Sequence, residues 1–103
     1  MGRSLFPFQR FKVEGSSMEP TLKKGDRVLV WKHGRIKKSD VVVFSTPERD
    51  YIKRVVEVQG DEYFVLGDNR DASADSRDFG TINRHQIKGR VVVRYLPQFG
   101  KIK

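Results

Sequence analysis

Cysteine is absent from this 103-residue chain. Its absence excludes a disulfide framework, a thiolate nucleophile and a cysteine-ligated zinc site. Long apolar runs are also missing, since residues 28–31 and 41–44 fall far short of the ~20 residues that a membrane-spanning helix needs. Residues 1–9 carry Leu5 and Phe6, and we expect this segment to lie on a membrane surface or to pack on the domain. It lacks the apolar stretch of a secretory signal peptide.

Acidic residues are few relative to basic ones, with 13 Asp and Glu against 21 Lys and Arg, so the net charge is +8. This sign favours anionic partners, either nucleic acid or the acidic headgroups of a membrane. With 37% hydrophobic residues, the chain is predicted to form one domain with a thin core. We assign residues 10–97 to this core, 1–9 to an N-terminal segment that is membrane-proximal or the remnant of an anchor, and 98–103 to a C-terminal tail.

Helical periodicity is missing throughout, and the pattern is typical of β-strands. β-Branched and aromatic runs bounded by turn residues predict strands at 10–14, 27–32, 41–44, 51–58, 62–66 and 91–95. The sequence therefore predicts a mostly β domain of five to six or more antiparallel strands, as a coiled sheet or partly open barrel. Residues 67–81 form one long polar loop without a secondary-structure signal, and a single helical turn at most is predicted near 82–87.

One serine stands in an unusual setting, the segment Gly15-Ser16-Ser17-Met18-Glu19-Pro20. Pro20 prevents a regular strand from continuing after Ser17, which leaves that hydroxyl on a rigid turn. A plain turn would also use serine, glycine and proline.

A lysine and an arginine are adjacent in the predicted strand 51–58, so one of the two cations must point toward whatever that strand covers. Either side chain can place its charge in water along an apolar surface. Desolvation, however, lowers the pKa of a buried lysine, so that its neutral amine can take a proton from a serine. Arginine stays protonated and cannot do this. If one of the pair is catalytic, it is Lys53.

Four segments together resemble the signal peptidase I family of serine endopeptidases, which use a Ser/Lys dyad. In chain order they are GSSMEPTL followed by Gly25-Asp26, SDVVVF at 39–44, YIKRVV at 51–56 followed by Gly60-Asp61, and GDNRDASADSRDFG at 67–80. They cover nearly the whole chain from Phe11 to Val93.

The resemblance implies a role for each matching residue. Ser17 would be the nucleophile and Lys53 the general base, with Ser73 hydrogen-bonded to the Lys53 amine. Asp75 and Arg77 would form an ion pair, and Asp68 and Asn69 would fix the start of the long loop. Oxyanion or substrate contacts would come from Gly15, Ser16 and Met18.

Neither a metal nor a cofactor is implied. The spacing of Asp71, Ser73 and Asp75 is similar to that of a calcium loop, but the central glycine and the closing glutamate are missing. His33 and His85 lie in a turn and a charged connection and do not suit a Ser/His/Asp triad.

The implied substrates are preproteins cut at Ala-x-Ala sites, and the implied location is a membrane with the active site on its extracytoplasmic face. The chain departs from the family in having no membrane anchor and no room between Lys53 and Asp68 for the second β-domain of larger members.

Three alternatives stay open. The first is a cytoplasmic maturation protease of the same superfamily that trims one dedicated precursor. The second is a self-cleaving repressor domain, which needs a cleavable segment ahead of the domain, and only 16 residues precede Ser17. The third is a basic β-barrel that stacks nucleic acid on its aromatic side chains, which explains neither the serine motif nor the 67–80 segment.

Overall fold

A computed structural model describes residues 7–103, and the part it describes is built mainly from β-strands. The strands are β1 (Phe8–Lys12), β2 (Arg27–Trp31), β3 (Val41–Ser45), β4 (Asp50–Gln59), β5 (Glu62–Leu66), β6 (Ile82–Asn83), β7 (Ile87–Leu96) and β8 (Gly100–Lys101). Helical structure in the same range is limited to one turn of α-helix, α1 (Ser76–Phe79), and two 3₁₀ turns, Arg70–Ala72 and Arg84–Gln86.

All eight strands join one antiparallel sheet in the order β1-β2-β7-β3-β4-β5-β6, with β8 paired to β7. The sheet is not closed into a barrel, because β1 and β6 stand at its two ends. The prediction of a mostly β, single-domain, antiparallel fold is confirmed. The two-residue strands β6 and β8 were not predicted, because they are too short to show an alternating pattern.

Strand β3 lies at the centre of the core and is buried on both faces. Val41 and Val43 point into one apolar cluster, which also holds Met18. Val42 and Phe44 point into a second cluster on the other face. A strand covered on both sides has no polar positions, which explains its unbroken apolar run. Each fully buried valine or phenylalanine contributes roughly 1.5–3 kcal/mol.

Strand β4 carries an irregularity in its pairing with β5, between Val55 and Glu57. Before it, the alternation is regular, with Ile52 in one cluster and Val55 in the other. After it, Val58 packs on the same cluster as Val55. Strict alternation predicts that Val58 shares the face of Ile52, and this prediction is wrong because the extra residue of a bulge reverses the faces.

The loop at 67–81 is more ordered than its composition predicts. It holds the 3₁₀ turn Arg70–Ala72 and helix α1, so the prediction that it lacks secondary structure is wrong. Asp75 caps α1 by accepting from the Arg77 amide, while the Asp78 side chain accepts from the Asp75 amide. The reciprocal cap holds a helix too short for its periodicity to be recognised.

The segments outside residues 10–97 also take part in the sheet. Phe8 and Gln9 pair with β2, Gly100 and Lys101 pair with β7, and Ile102 packs against the core. Leu5 and Phe6 lie outside the described residues.

Candidate active site

Ser17 stands on a turn that follows the first strand. After β1 ends, the Val13 amide donates to the Asp26 carbonyl and the Gly25 amide donates to the Val13 carbonyl, each over 2.8 Å. Gly15 then reverses the chain with a φ of 75°, a conformation that L-residues with side chains rarely adopt. The fully buried Met18 anchors the turn in the core. The hydroxyl is therefore held on rigid backbone at the end of a strand.

Lys53 reaches this hydroxyl from β4. Its side chain is only 3% exposed, and its Nζ donates a hydrogen bond of 2.8 Å to Ser17 Oγ. Strand β3 pairs with the lysine's own strand, with Val42 directly opposite Lys53 in the register. The structure thus brings together the two residues that the sequence singled out.

The environment of Lys53 lowers the pKa of its amine from 10.5 to about 8, chiefly because burial disfavours the ammonium form. The negative charge of Asp75 opposes this by raising the pKa, and the positive charge of Arg49 adds to it. A substantial fraction of the amine is therefore neutral near physiological pH, and a neutral amine can accept a proton.

Asp75 is fully buried behind the dyad and is surrounded by donors. Its carboxylate accepts from Arg77 Nε (2.9 Å), from Ser73 Oγ (2.8 Å) and from the Gly67 amide (3.0 Å). Burial raises the pKa of Asp75, but these hydrogen bonds outweigh it, and the pKa lies below its usual range. The ion pair expected between Asp75 and Arg77 is present.

Ser73 is placed differently from its expected contact. Its hydroxyl donates to Asp75, whereas the hydrogen bond that Lys53 donates goes to Ser17. Ser73 is therefore linked to Asp75, which acts on Lys53 through its charge.

The long loop is attached directly to the serine turn. The Asn69 amide donates to the Ser17 carbonyl over 2.8 Å, and Asn69 Nδ2 donates to the Ser16 carbonyl over 3.1 Å. At Gly67 the contact is so close that an added Cβ would lie 2.6 Å from the Ser17 carbonyl oxygen and 2.3 Å from Ser73 Oγ. Only glycine fits between them.

A cleft of about 350 Å³ opens beside the two side chains. It is lined by Phe11, Lys12, Glu14, Ser17 and residues 49–53. β1 stands at the end of the sheet order, with its pairing to β2 on one side only. Such an edge can accept an extended peptide as an additional strand.

Comparison with known proteins shows relatives among the signal peptidases, the family that the sequence motifs resemble. The family model for signal peptidase, peptidase S26, matches residues 2–62 and 57–96. Signal peptidase IB of Staphylococcus aureus (strain COL) is 31% identical, over 84% of this chain and 77% of the relative. Signal peptidase I of Bacillus caldolyticus is also 31% identical, over 90% of this chain and 82% of the relative. The chain belongs to the peptidase S26 family.

Membership makes this protein a serine endopeptidase, as the sequence motifs predicted. The alignments extend over 147 and 149 positions, more than the 103 residues present here, so the relatives carry residues without a counterpart. The two parts of the family match meet at residues 57–62, around the turn between β4 and β5. In this S26 peptidase that turn is part of a short hairpin formed by β4 and β5.

Two residues of this S26 peptidase support the site without having been predicted. Arg54 donates twice to Asp68, with both distances 2.9 Å, and Thr21 Oγ1 donates to the same carboxylate. Asp68 thus ties β4 and the end of the serine turn to the start of the loop. The pair of adjacent cations on β4 was the sequence feature that could have indicated a role for Arg54. Arg54 binds a carboxylate, whereas its neighbour Lys53 contacts the serine.

The residues predicted to contact the oxyanion or the substrate differ in their exposure. Gly15 and Ser16 are exposed beside the nucleophile, but the Met18 side chain is buried in the core, with Sδ accepting from the Asp68 amide. Met18 therefore positions the turn and does not offer its side chain to the cleft. Both histidines are exposed, as expected for residues of a turn and a charged connection.

Proposed function

We propose that this S26 peptidase removes N-terminal signal peptides from preproteins, with Ser17 as nucleophile and Lys53 as general base. The observation that carries the proposal is the 2.8 Å hydrogen bond between Lys53 Nζ and Ser17 Oγ, made by an amine that is almost fully buried. A basic β-barrel that binds nucleic acid needs no desolvated lysine beside a serine.

In the first half of the reaction, the substrate lies in the cleft as an extended strand along the edge of β1, against residues 49–53. Neutral Lys53 removes the Ser17 proton as Oγ attacks the scissile carbonyl. Among the described residues, no acceptor takes the Ser17 backbone amide, which is therefore available to the oxyanion. The Lys53 ammonium then protonates the leaving amine, and an acyl-enzyme remains on Ser17.

In the second half, Lys53 accepts a proton from water as the water oxygen attacks the acyl carbon. The intermediate collapses, the proton returns to Ser17 Oγ, and the signal peptide leaves with a free carboxylate. Asp75 keeps its charge throughout, because its donors hold its pKa low. Its role is electrostatic: it raises the proton affinity of Lys53 and holds the loop in place.

The site type and the location are the finer parts of the proposal. Phe11, Tyr51 and Ile52 give the cleft beside Ser17 an apolar lining, and we assign it to the small apolar side chains of an Ala-x-Ala site. We place the enzyme at a membrane, with its cleft on the extracytoplasmic side, because its relatives are signal peptidases. Within residues 7–103, no helix is long and apolar enough to cross a bilayer.

The test is cleavage of a peptide that carries an Ala-x-Ala site, measured for the parent, Ser17→Ala and Lys53→Met. We expect either substitution to lower kcat by at least about a thousandfold, because each removes a group that acts in the transition state. Thr81→Ala and Lys38→Met are matched controls on exposed residues and should cut like the parent. Parental rates in both dyad variants would refute the assignment.

A further inference from the structure

A second concave site is built on β1, next to the catalytic cleft. It has a volume of about 280 Å³ and is lined by Arg10, Phe11, Lys12, Arg27 and Tyr95. Three of these five residues are cations, one brings a phenol hydroxyl, and no carboxylate is among them. Phe11 and Lys12 also line the catalytic cleft, so the two sites share one strand as their wall.

The sheet register explains why the cations converge. Arg10 and Lys12 are two positions apart on β1 and therefore point to the same face. Arg27 lies directly opposite Lys12 on β2. The pairing of β2 with β7 shifts between Arg27 and Val28, which leaves Tyr95 as an extra residue between the paired Arg94 and Leu96. The bulge brings the Tyr95 side chain to the cationic face.

The three cations are not neutralised by acidic neighbours. The ion pairs found among residues 7–103 involve Arg54, Arg77, Lys88 and Arg94, and none involves Arg10, Lys12 or Arg27. Like charges placed directly across a strand pair, as Lys12 and Arg27 are, destabilise a sheet. An anion between them would remove this repulsion.

We propose that this cationic pocket binds the phosphate group of an anionic phospholipid. Arginine matches phosphate oxygens with a planar set of donors, lysine adds a point charge, and a phenol hydroxyl can donate to a third oxygen. The inference deepens the proposed function and rests on it, since a signal peptidase acts where preproteins meet a membrane.

Apolar side chains on the same face favour a lipid headgroup over a free phosphate ion. Phe8 is 44% exposed and packs edge-on against Trp31, directly opposite it on β2. Leu96, 49% exposed, lies opposite Arg27 on β7. Aromatic rings beside lysine and arginine are the usual composition of a surface that rests in the headgroup region.

The consequence for catalysis is positional. Because β1 is the common wall, a headgroup held by Arg10 and Arg27 places the cleft beside the plane of the lipid phosphates. The cleavage site of a signal peptide follows its apolar segment, and so emerges close to that plane. The pocket would thus bring Ser17 to the depth at which its substrate becomes accessible.

The test measures binding of the full chain to vesicles in the absence of substrate. We compare phosphatidylcholine vesicles with vesicles that also contain phosphatidylglycerol, using the parent, the double variant Arg10→Gln/Arg27→Gln, and the control Lys37→Gln/Lys38→Gln. The control removes the same charge from exposed lysines outside the pocket. We expect binding to anionic vesicles to weaken about thirtyfold in the double variant and less than threefold in the control.

Further arms separate the sources of phosphate and the two proposals. Inorganic phosphate should displace the parent from vesicles no better than chloride at matched ionic strength. Equal weakening in both double variants would overturn the proposal, as would arginine-dependent binding to a single-stranded oligonucleotide that is tighter than binding to vesicles. Cleavage of a soluble peptide should be the same in the Arg10→Gln/Arg27→Gln variant as in the parent. The vesicle assay is thus independent of whether the dyad assignment holds.

Discussion

At the scale of single residues, the chemistry depends on the proton affinity of one amine. Burial lowers the pKa of Lys53 to about 8, so the neutral form that can act as a base increases as the pH rises. We expect kcat/KM to rise about tenfold per pH unit below that value and to level off above it. The check is a pH–rate profile on a soluble peptide. A flat profile between about pH 6 and about pH 9, from roughly two units below this pKa to roughly one unit above it, would contradict the role of Lys53.

Two neighbouring charges should move this profile in opposite directions. Asp75 raises the pKa of Lys53, so Asp75→Asn should shift the rising limb to lower pH. Arg49 lowers that pKa, so Arg49→Gln should shift the limb to higher pH. The measurement is the midpoint of each profile for variants shown to be folded by circular dichroism. Shifts of the same sign in both variants would mean that the charges act through structure and not through the amine.

The residues that sequence reasoning could find are those whose type is dictated by chemistry. Ser17 and Lys53 stand out because only a hydroxyl on a rigid turn and a lysine on a covered strand fit a Ser/Lys dyad. The orientation of Ser73 toward Asp75 was not predictable, because a hydroxyl can rotate toward any nearby acceptor. Gly67 appears in a recognised motif, but its contact with the Ser17 carbonyl depends on two segments far apart in the chain.

At the scale of elements, the long loop is held against the serine turn by a contact that tolerates no side chain. Gly67→Ala would place a Cβ 2.6 Å from the Ser17 carbonyl oxygen, so the turn or the loop must move. A small displacement of a catalytic group is costly, and we expect kcat/KM to fall about a hundredfold. Enzyme kinetics with a thermal unfolding scan would separate this effect from simple unfolding.

Gly100→Ala is the matched control for that substitution. An added Cβ there meets only the far end of the Arg94 side chain, 3.0 Å away, which can swing aside. Its activity should stay within a factor of two or so of the parent, as for most surface substitutions. Equal losses in the two variants would show that the effect is not specific to the serine turn.

The elements themselves were largely predictable, and the exceptions have physical causes. The longer strands have enough β-branched residues to be recognised without a structure. The bulge in β4 was not predictable, because an extra residue is required by pairing with β5 and not by local composition. Helix α1 was missed because its stability comes from the cap at Asp75 and not from an apolar face.

At the scale of the whole molecule, the buried amine lowers the stability of the fold. Lowering the pKa of Lys53 from 10.5 to about 8 means that the ammonium form costs the folded state about 3 kcal/mol near pH 7. Lys53→Met keeps an apolar stem of similar length and removes this cost. We expect the variant to unfold at higher urea concentration than the parent at pH 7, by about 1–3 kcal/mol.

The sign of this effect fixes its pH dependence. Between pH 8 and pH 10.5 the unfolded chain still binds the lysine proton and the folded chain does not, so the parent gains stability as the pH rises. The advantage of Lys53→Met should therefore shrink across that window. An advantage that stays constant with pH would show that it comes from packing and not from the charge.

The hairpin formed by β4 and β5 has catalytic residues at one end and its turn at the other. Lys53 and Gly67 sit on the two arms near the catalytic centre, while the turn at Gly60 lies about seven residues farther along, ~20 Å away at strand spacing. The turn can thus become longer or shorter during evolution without moving the catalytic residues. For the same reason, a fluorescent protein or an affinity tag inserted at Gly60 would lie far from Ser17 and Lys53 and should leave the activity intact.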